Sequence, residues 1–585
     1  MRENEPNESS VGTAKAATPE ESDRSDLKRL GPLDWGIHPF LFALLPILSP
    51  LAANSDDVAT GEAVPALLWS SVLAAALTLG IWIFVRDWRK AALIASPLVL
   101  LALSYGHLYV GLKLIFGAIV VRHRYLAPPL VAAAIIWSFV VLRRLRASGP
   151  LTAALNVVGL VSLLFPLLTL LGATFARLTL EPEPEATPVS LPAAIPAGAE
   201  GPDIFYIIVD GYGRQDVLSD LYGYDNSGFL RSLQDRGFQI GERSTTNYIQ
   251  TALSLASSLN MDYLDALLED QGQTMRSAEL RDLIWHSRVR RQLDGLGYAV
   301  LSFKSGYSYT SIEDADLYWM PEGQGNENED DPVGSSSASK ASAFEVLLLE
   351  NTVFRILLDF SEPAREATRR YLLEPSFAEH RERVLFTLDR LGEVPALPGR
   401  YFVFAHVISP HPPFVFDAGG NPLTPDYPFS FEDGSHFQQY GFGTREDYIT
   451  GYQEQLRYLN QLLVEAIDRI LESSATTPIV VLQGDHGPGA YLRWDAVMDS
   501  NLEERSGILN AFLLPGAIGD VVYPTITPVN AFRLVLSQYF GADLPPLEDC
   551  TYFSSVTDRA QLVQVGDCLP PGRDWSAGGA SVAGP

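Results

Sequence analysis

Two apolar runs in this chain end in the same kind of residue, and that coincidence is where chemistry can be sought. The run 203–209 closes on Asp210-Gly211, and the run 478–483 is followed by Gly484-Asp485-His486-Gly487. A carboxylate and an imidazole adjacent at a strand end, with Gly permitting a sharp turn, offer oxygen and nitrogen donors of the kind that suit Mn²⁺, Zn²⁺ or Mg²⁺. Taken alone, Asp485 has a simpler role as a helix cap and His486 as an exposed imidazole. Asp210 gives the pair a third partner. If both runs are strands of one parallel sheet, Asp210, Asp485 and His486 meet at its carboxyl edge, where α/β proteins bind ligands.

A hydroxyl is available to such a cation. In 247–260 an extended polar stretch gives way to a helix-like run at Thr251, in Thr251-Ala252-Leu253-Ser254-Leu255. Backbone N–H groups and the helix dipole favour an anion there, and a threonine becomes a useful nucleophile once a metal or base lowers its pKa. An ordinary N-cap is the alternative role. His411, in Ser409-Pro410-His411-Pro412-Pro413-Phe414, can hydrogen-bond a non-bridging oxygen or protonate a leaving alcohol. His406 is a second candidate for that work, with packing against the strand end as its alternative. Lys304 and Asn247 read as a solvated lysine and an unassigned polar group.

These side chains need a scaffold. Strand-like runs at 203–210, 298–303, 401–408, 477–483 and 508–514 alternate with helix-like stretches at 277–295, 378–392 and 447–472. That alternation predicts a doubly wound α/β sandwich. Uninterrupted β-branched and aromatic residues in 203–209 predict a strand buried on both faces. The helix beginning near 527 reads as structural packing.

The first part of the chain is different in kind. Candidate membrane spans lie at 39–53, 64–85, from 91, at 126–142 and at 151–176, about five in all. Lys28, Arg29, Arg86, Arg89, Lys90, Arg143, Arg144 and Arg146 fall on one side of a five-span arrangement, which makes that side cytoplasmic and the C-terminal part extracytoplasmic. Lys113, Arg122, His123 and Arg124 would then lie outside. Residues 108–121 are either a sixth span or, as expected here, an interfacial loop.

The expected organisation is a disordered tail at 1–34, an anchor at 35–177, a Pro/Glu/Ala spacer at 178–201, a catalytic domain at 202–570 and a disordered tail at 571–585. A solvated, mobile loop is expected at 324–342. Residues 1–177 carry a net charge of +3, which leaves −31 of the total −28 for the remainder. So acidic a body has no clustered cations for a phosphate backbone, which argues against nucleic acid as a partner. The two cysteines, Cys550 and Cys568, are either paired, in an oxidising compartment, or free thiols.

Across roughly 200–515 these motifs resemble the alkaline phosphatase and sulfatase superfamily, in its membrane-anchored branch with lipoteichoic acid synthases and phosphoethanolamine transferases. The resemblance implies an alkaline-phosphatase-like α/β sandwich and one divalent metal ion, among Mn, Mg, Zn and Ca. It implies Asp210, Asp485 and His486 as ligands, with Thr251 as both nucleophile and ligand. His411 matches a substrate-contacting His-x-Pro element. Membrane lipid and a lipid-borne or glycan acceptor are the implied partners.

Departures from the pattern narrow the reading. In the formylglycine-forming motif Thr251 stands in place of Cys or Ser, Leu253 in place of Pro and Leu255 in place of Arg. No histidine follows His486, and Phe402 stands four residues before His406 where two-zinc enzymes have Asp. The expectation is therefore a single-metal transferase or hydrolase of phosphoryl esters. A sulfuric-ester hydrolase without formylglycine, or a non-catalytic metal-binding scaffold, are the other possibilities.

Overall fold

A computed structural model describes residues 35–53, 60–116, 121–179, 202–268, 275, 277–324, 351–427, 429–494, 496–517, 519–555, 559 and 561–572. The expected tail 1–34, the spacer from 180, the loop from 325 to 342 and the end from 573 lie outside the described residues. The chain divides into two units, 1–179 with 347–360, and 180–346 with 361–585.

The first unit is helical: α1 (His38–Ala53), α2 (Val64–Val85), α3 (Trp88–Phe116), α4 (His123–Arg143) and α5 (Gly149–Thr179). By length and composition, α2 to α5 can each cross a membrane. At 16 residues, α1 rises only about 24 Å, short of a bilayer core of about 30 Å. It is nonetheless enclosed, since Ala43 of α1, Ala74 of α2 and Val99 of α3 form one buried cluster. Phe84, Ile136 and Phe165 project outward, as expected of helices whose solvent is lipid rather than water.

The loop expected at 108–121 differs over its first part, and 117–120 lie outside the described residues. Residues 108–116 continue α3 as helix, because an apolar segment without proline satisfies its backbone groups most fully that way.

The second unit is built on a seven-stranded sheet in the order β2-β7-β6-β1-β5-β3-β4. The strands are β1 (Ile204–Val209), β2 (Phe238–Ile240), β3 (Ala299–Phe303), β4 (Leu317–Trp319), β5 (Tyr401–Val407), β6 (Ile479–Gln483) and β7 (Asn510–Leu513). As expected for an uninterrupted apolar run, β1 lies at the centre, parallel to β5 on one side and β6 on the other. Its side chains alternate between two cores: Phe205, Ile207 and Val209 join one, and Ile204, Tyr206 and Ile208 the other.

Helices cover both faces, which makes the sandwich doubly wound. On the first face lie α6 (Gln215–Tyr222), α7 (Ser227–Asp235), and, later in the chain, helices at 374–390 and 445–473, whose buried residues share the core of Phe205. On the second lie α8 (Thr251–Asn260), α9 (Ser277–Trp285), α10 (Arg288–Gly295) and a helix at 528–540. The stretch 277–295, expected as one helix, breaks at His286, and Ser287 caps α10 by accepting from the Arg290 amide.

Two short strands were not legible. β2 and β4 have three residues each, and β7 runs antiparallel to both β2 and β6, so the sheet is mixed. Segments this short carry too few alternations to register as a period.

Cys550 and Cys568 form a disulfide that closes a segment with a sequence separation of 18. Cross-linking a loop of that length restricts the unfolded chain by about 3 kcal/mol. A Cys550→Ser/Cys568→Ser double variant is expected to lose about that amount of unfolding free energy in denaturant titration. Equal midpoints for variant and parent would show that the bridge is dispensable.

Candidate active site

Strand register builds the site. Ile208 of β1 sits beside His406 of β5 and Gln483 of β6, so the residues that follow these parallel strands emerge at one edge. The Asp210 amide extends the ladder by donating to the Val407 carbonyl at 2.9 Å, and the His411 amide donates to the Asp210 carbonyl at 3.1 Å. Gly211 turns the chain with φ +74, a left-handed conformation that favours glycine, and its amide donates to Asp485 Oδ1 at 3.1 Å. The two halves of the site are thus hydrogen-bonded across the sheet edge.

Gly487 serves by being small: an added Cβ would lie 2.0 Å from the Glu504 carbonyl oxygen. Two hydroxyls then pin the Asp485 carbonyl, with Thr246 Oγ1 donating at 2.5 Å and Ser254 Oγ at 2.8 Å. Ser254 belongs to the Thr-Ala-Leu-Ser run, and its place one turn after Thr251 explains the spacing. It fastens α8 to the turn that carries Asp485. Thr251 is the first residue of α8, with Gln250 as N-cap, as its sequence position predicted.

The chemistry-bearing atoms converge. His486 Nε2 lies 3.4 Å from Asp210 Oδ1, 3.4 Å from Asp485 Oδ2 and 3.1 Å from Thr251 Oγ1. His486 Nδ1 is 2.9 Å from the Gly487 carbonyl, a contact that needs the proton on Nδ1 and leaves a lone pair on Nε2. Burial lowers the His486 pKa and the guanidinium of Arg505 lowers it further, so the imidazole stays neutral. Asp210 Oδ1 and Asp485 Oδ2 are buried with no hydrogen-bond donor. Two buried carboxylate oxygens without donors, each 3.4 Å from an imidazole nitrogen whose lone pair also meets Thr251 Oγ1 and Arg505 Nη2, form a cradle for a cation. Oxygen and nitrogen donors of this kind fit the divalent metal expected from the sequence.

His406 and His411 also reach the site. His406 Nε2 lies 3.3 Å from Asp210 Oδ2 and is itself without a hydrogen bond, while Nδ1 meets Thr310 Oγ1 at 2.8 Å. Its ring therefore belongs to the centre and not merely to strand packing: Asp210, His406 and Asp485 form one group of convergent donors, and Asp210, His411 and His486 form another. Around Asp210, burial opposes ionisation, but His411, His406 and His486 outweigh it and hold the carboxyl well below its usual range. Burial lowers the pKa of His411, and the carboxylates of Asp210 and Asp433 outweigh that, so it is raised.

Asp433 and Arg505 are site residues that sequence reasoning missed. Asp433 Oδ2 lies 3.5 Å from His411 Nε2 and 2.5 Å from Arg505 Nη1, and all three side chains are buried. Neither residue sits in a recognisable motif. Asp433 falls in an irregular loop, and Arg505 follows two glutamates and reads as surface. The long helix α12 (Arg445–Ser473, after α11 at Glu374–Arg390) braces both loops through residues one turn apart. Tyr448 donates to Asp433 Oδ1 at 2.7 Å, and Tyr452 donates to the Gly211 carbonyl at 2.9 Å.

Two weaker candidates do not join the centre. Lys304 is half-buried and donates to the Gln324 carbonyl, so it is not the freely solvated lysine expected. Asn247 is structural, donating to the Cys550 carbonyl at 3.0 Å and accepting from the Val529 amide at 2.8 Å.

Glu504, beside Arg505, is buried and accepts from Tyr222 Oη at 2.6 Å and the Tyr491 amide at 2.9 Å. Burial pushes its carboxyl up to about 8. A pKa above the unfolded value means that the folded protein holds the proton more tightly. The stability this confers is complete below the ordinary value of 4.5 and is lost as pH rises through about 8. Glu504→Gln is expected to remove that loss, so the gap in melting temperature between variant and parent should widen in the variant's favour from about pH 5 to about pH 9. Melting curves that stay parallel across that range would show that Glu504 folds ionised.

No family model matches this chain, and no curated protein does. Solved structures do. The C-terminal periplasmic domain of EptC from Escherichia coli, in complex with Zn, is 12% identical with a TM-score of 0.37, over 66% of this chain and 99% of that one. The integral membrane lipooligosaccharide phosphoethanolamine transferase A of Neisseria meningitidis is 12% identical with a TM-score of 0.35, over 87% and 95%. A putative sulfatase from Bacteroides thetaiotaomicron is 14% identical with a TM-score of 0.33, over 62% and 75%. The chain is thus similar to phosphoethanolamine transferases and to sulfatases.

Proposed function

We propose that this protein is a membrane-anchored, metal-dependent enzyme that moves a phosphoryl-linked group from a lipid donor through Thr251 to an acceptor hydroxyl or water. One observation carries the reading: Asp210 Oδ1, Asp485 Oδ2 and Thr251 Oγ1 all lie within 3.4 Å of His486 Nε2, and Asp210 belongs to two groups of convergent donors, one with His486 and one with Asp485. Asp210, Asp485, His486 and Thr251 would hold the ion. A divalent cation there supplies Lewis acidity, which lowers the pKa of an adjacent hydroxyl and offsets anionic charge.

The residues of the chain then divide the work. In the first step Thr251 Oγ1 bonds to phosphorus as the ester oxygen leaves with its bonding pair, and His411 gives that oxygen a proton. Thr251 yields its own proton to water. In the second step the acceptor oxygen bonds to phosphorus and passes its proton to His411, while Thr251 Oγ1 departs with its bonding pair and takes a proton back from water. His406, against Asp210, orients that carboxylate and stands as a further donor to the ion. The first amides of α8 add their partial positive charge to the face that Thr251 presents.

The anchor fits a lipid substrate. If α1, which packs against α2 and α3, counts with the four long apolar helices, five crossings would put the basic loops in the cytoplasm and the catalytic domain outside. A disulfide suits that compartment.

The test is direct. Purified full-length protein incubated with vesicles of phosphorus-labelled phospholipid should yield a phosphorylated peptide containing Thr251 on mass spectrometry. Thr251→Ala should lose it, with activity falling by about three orders of magnitude or more. Asp485→Ala should bring bound metal from one equivalent to near none by elemental analysis. A Thr251→Ala protein that turns over normally, or an Asp485→Ala protein that keeps its metal, would overturn the assignment.

A further inference from the structure

Arg505 presents a question that folding alone does not answer. Its guanidinium is 2% exposed, and a charge so deep needs strong partners. It has them: Nη1 donates to Asp433 Oδ2 at 2.5 Å and to the Gly487 carbonyl at 3.0 Å, Nε donates to the Ile249 carbonyl at 3.0 Å, and the carbon of the fork lies 5.2 Å from the Trp494 ring centroid. Those contacts fix the plane of the fork and account for one side of it. The other nitrogen, Nη2, reaches the centre, where one of its two hydrogens is donated to His486 Nε2 at 3.2 Å.

Thr251 Oγ1 lies 3.1 Å from that same Nε2. Nη2 and the nucleophilic oxygen are therefore no more than about 6.3 Å apart, a span that one tetrahedral phosphoryl group fills with its own bonds and one hydrogen bond. Charge points the same way. Asp210, Asp433 and Asp485 bring three carboxylates to the site, and a single divalent ion offsets two. Arg505, together with His411 while it carries the proton that it gives to the leaving oxygen, supplies the remaining positive charge that an anionic ester meets. A planar fork that is already immobilised loses little entropy on gripping an oxyanion.

We propose that Arg505 is the oxyanion clamp of this centre: Nη2 donates to a non-bridging oxygen of the ester as it is transferred to Thr251, so that one metal ion and one fixed guanidinium share the charge that develops there. The inference rests on Thr251 being the nucleophile. It assigns to Asp433 the task of holding the fork in place, and to Gly487, which is both next to His486 and bonded to Nη1, the task of keeping fork and ligand in step.

The test uses orthovanadate as the probe, titrated calorimetrically into metal-loaded, full-length protein in detergent. Arg505→Met is expected to keep its metal stoichiometry and to bind vanadate about 100-fold more weakly. Arg505→Lys, which keeps the charge and loses the fork, is expected to bind it about 10-fold more weakly. With a turnover assay, kcat should fall more than KM rises, since the contact strengthens as charge develops. Vanadate affinity within about twofold of the parent, in either variant that melts cooperatively and holds its metal, would overturn the clamp. Should the methionine variant not fold, the lysine variant decides alone. A parent protein that holds no metal and forms no Thr251 adduct would overturn the wider reading and the clamp with it. A parent that does both beside an unaffected variant would overturn only the clamp.

Discussion

Two carboxylates and an imidazole lone pair cannot be buried against one another unless something positive lies between or beside them, and much of the surrounding structure answers to that constraint. Asp210 and Asp485 each keep one oxygen undonated, yet each has its backbone or its other oxygen tied down. The imidazole of His486 is turned by the carbonyl of Gly487. Beyond these, Asp433 and Arg505 form a neutral pair that lets a guanidinium exist at such depth, and two tyrosines of α12 hold the loops from behind. Each layer stabilises the one inside it by removing a cost of burial.

The same constraint explains why hydroxyls are so common here. Tyr206, Tyr212, Tyr222, Tyr448 and Tyr452 are fully or almost fully buried and every one donates to a named acceptor. A tyrosine can span from a helix to a strand-end loop while keeping its ring in the apolar layer. Placed on one side of α12, such residues let a regular element govern loops that have no regular structure of their own.

Legibility from sequence follows the same division. Asp210, Asp485, His486 and Thr251 could be found because each sits where a regular element begins or ends, and strand and helix ends have recognisable local chemistry. The central strands were legible through their apolar runs, and α12 through its length. Asp433, Arg505 and Glu504 gave no such sign. Their neighbours in sequence are polar, and only tertiary packing makes them interior. β2 and β4 escaped because three residues do not make a pattern, and the continuation of α3 through 108–116 because a lysine and glycines weighed against helix more than an apolar environment does. His406 was the instructive case: a residue within a strand pattern reads as packing until the register shows which edge its ring faces.

The strand at the heart of the sheet has an awkward history in time. Ile204 emerges early in synthesis, yet its partners Phe402 and Ile479 come much later. Until they arrive, a ribbon that is greasy on both sides has nothing to shelter it, and pairing across such distances along the chain is slow. A protein of this design is exposed to aggregation while it is being made, and none of its chemistry exists until nearly the whole sequence has been translated. A nascent chain that stops short of β7 leaves the β6 edge of that sheet unpaired as well.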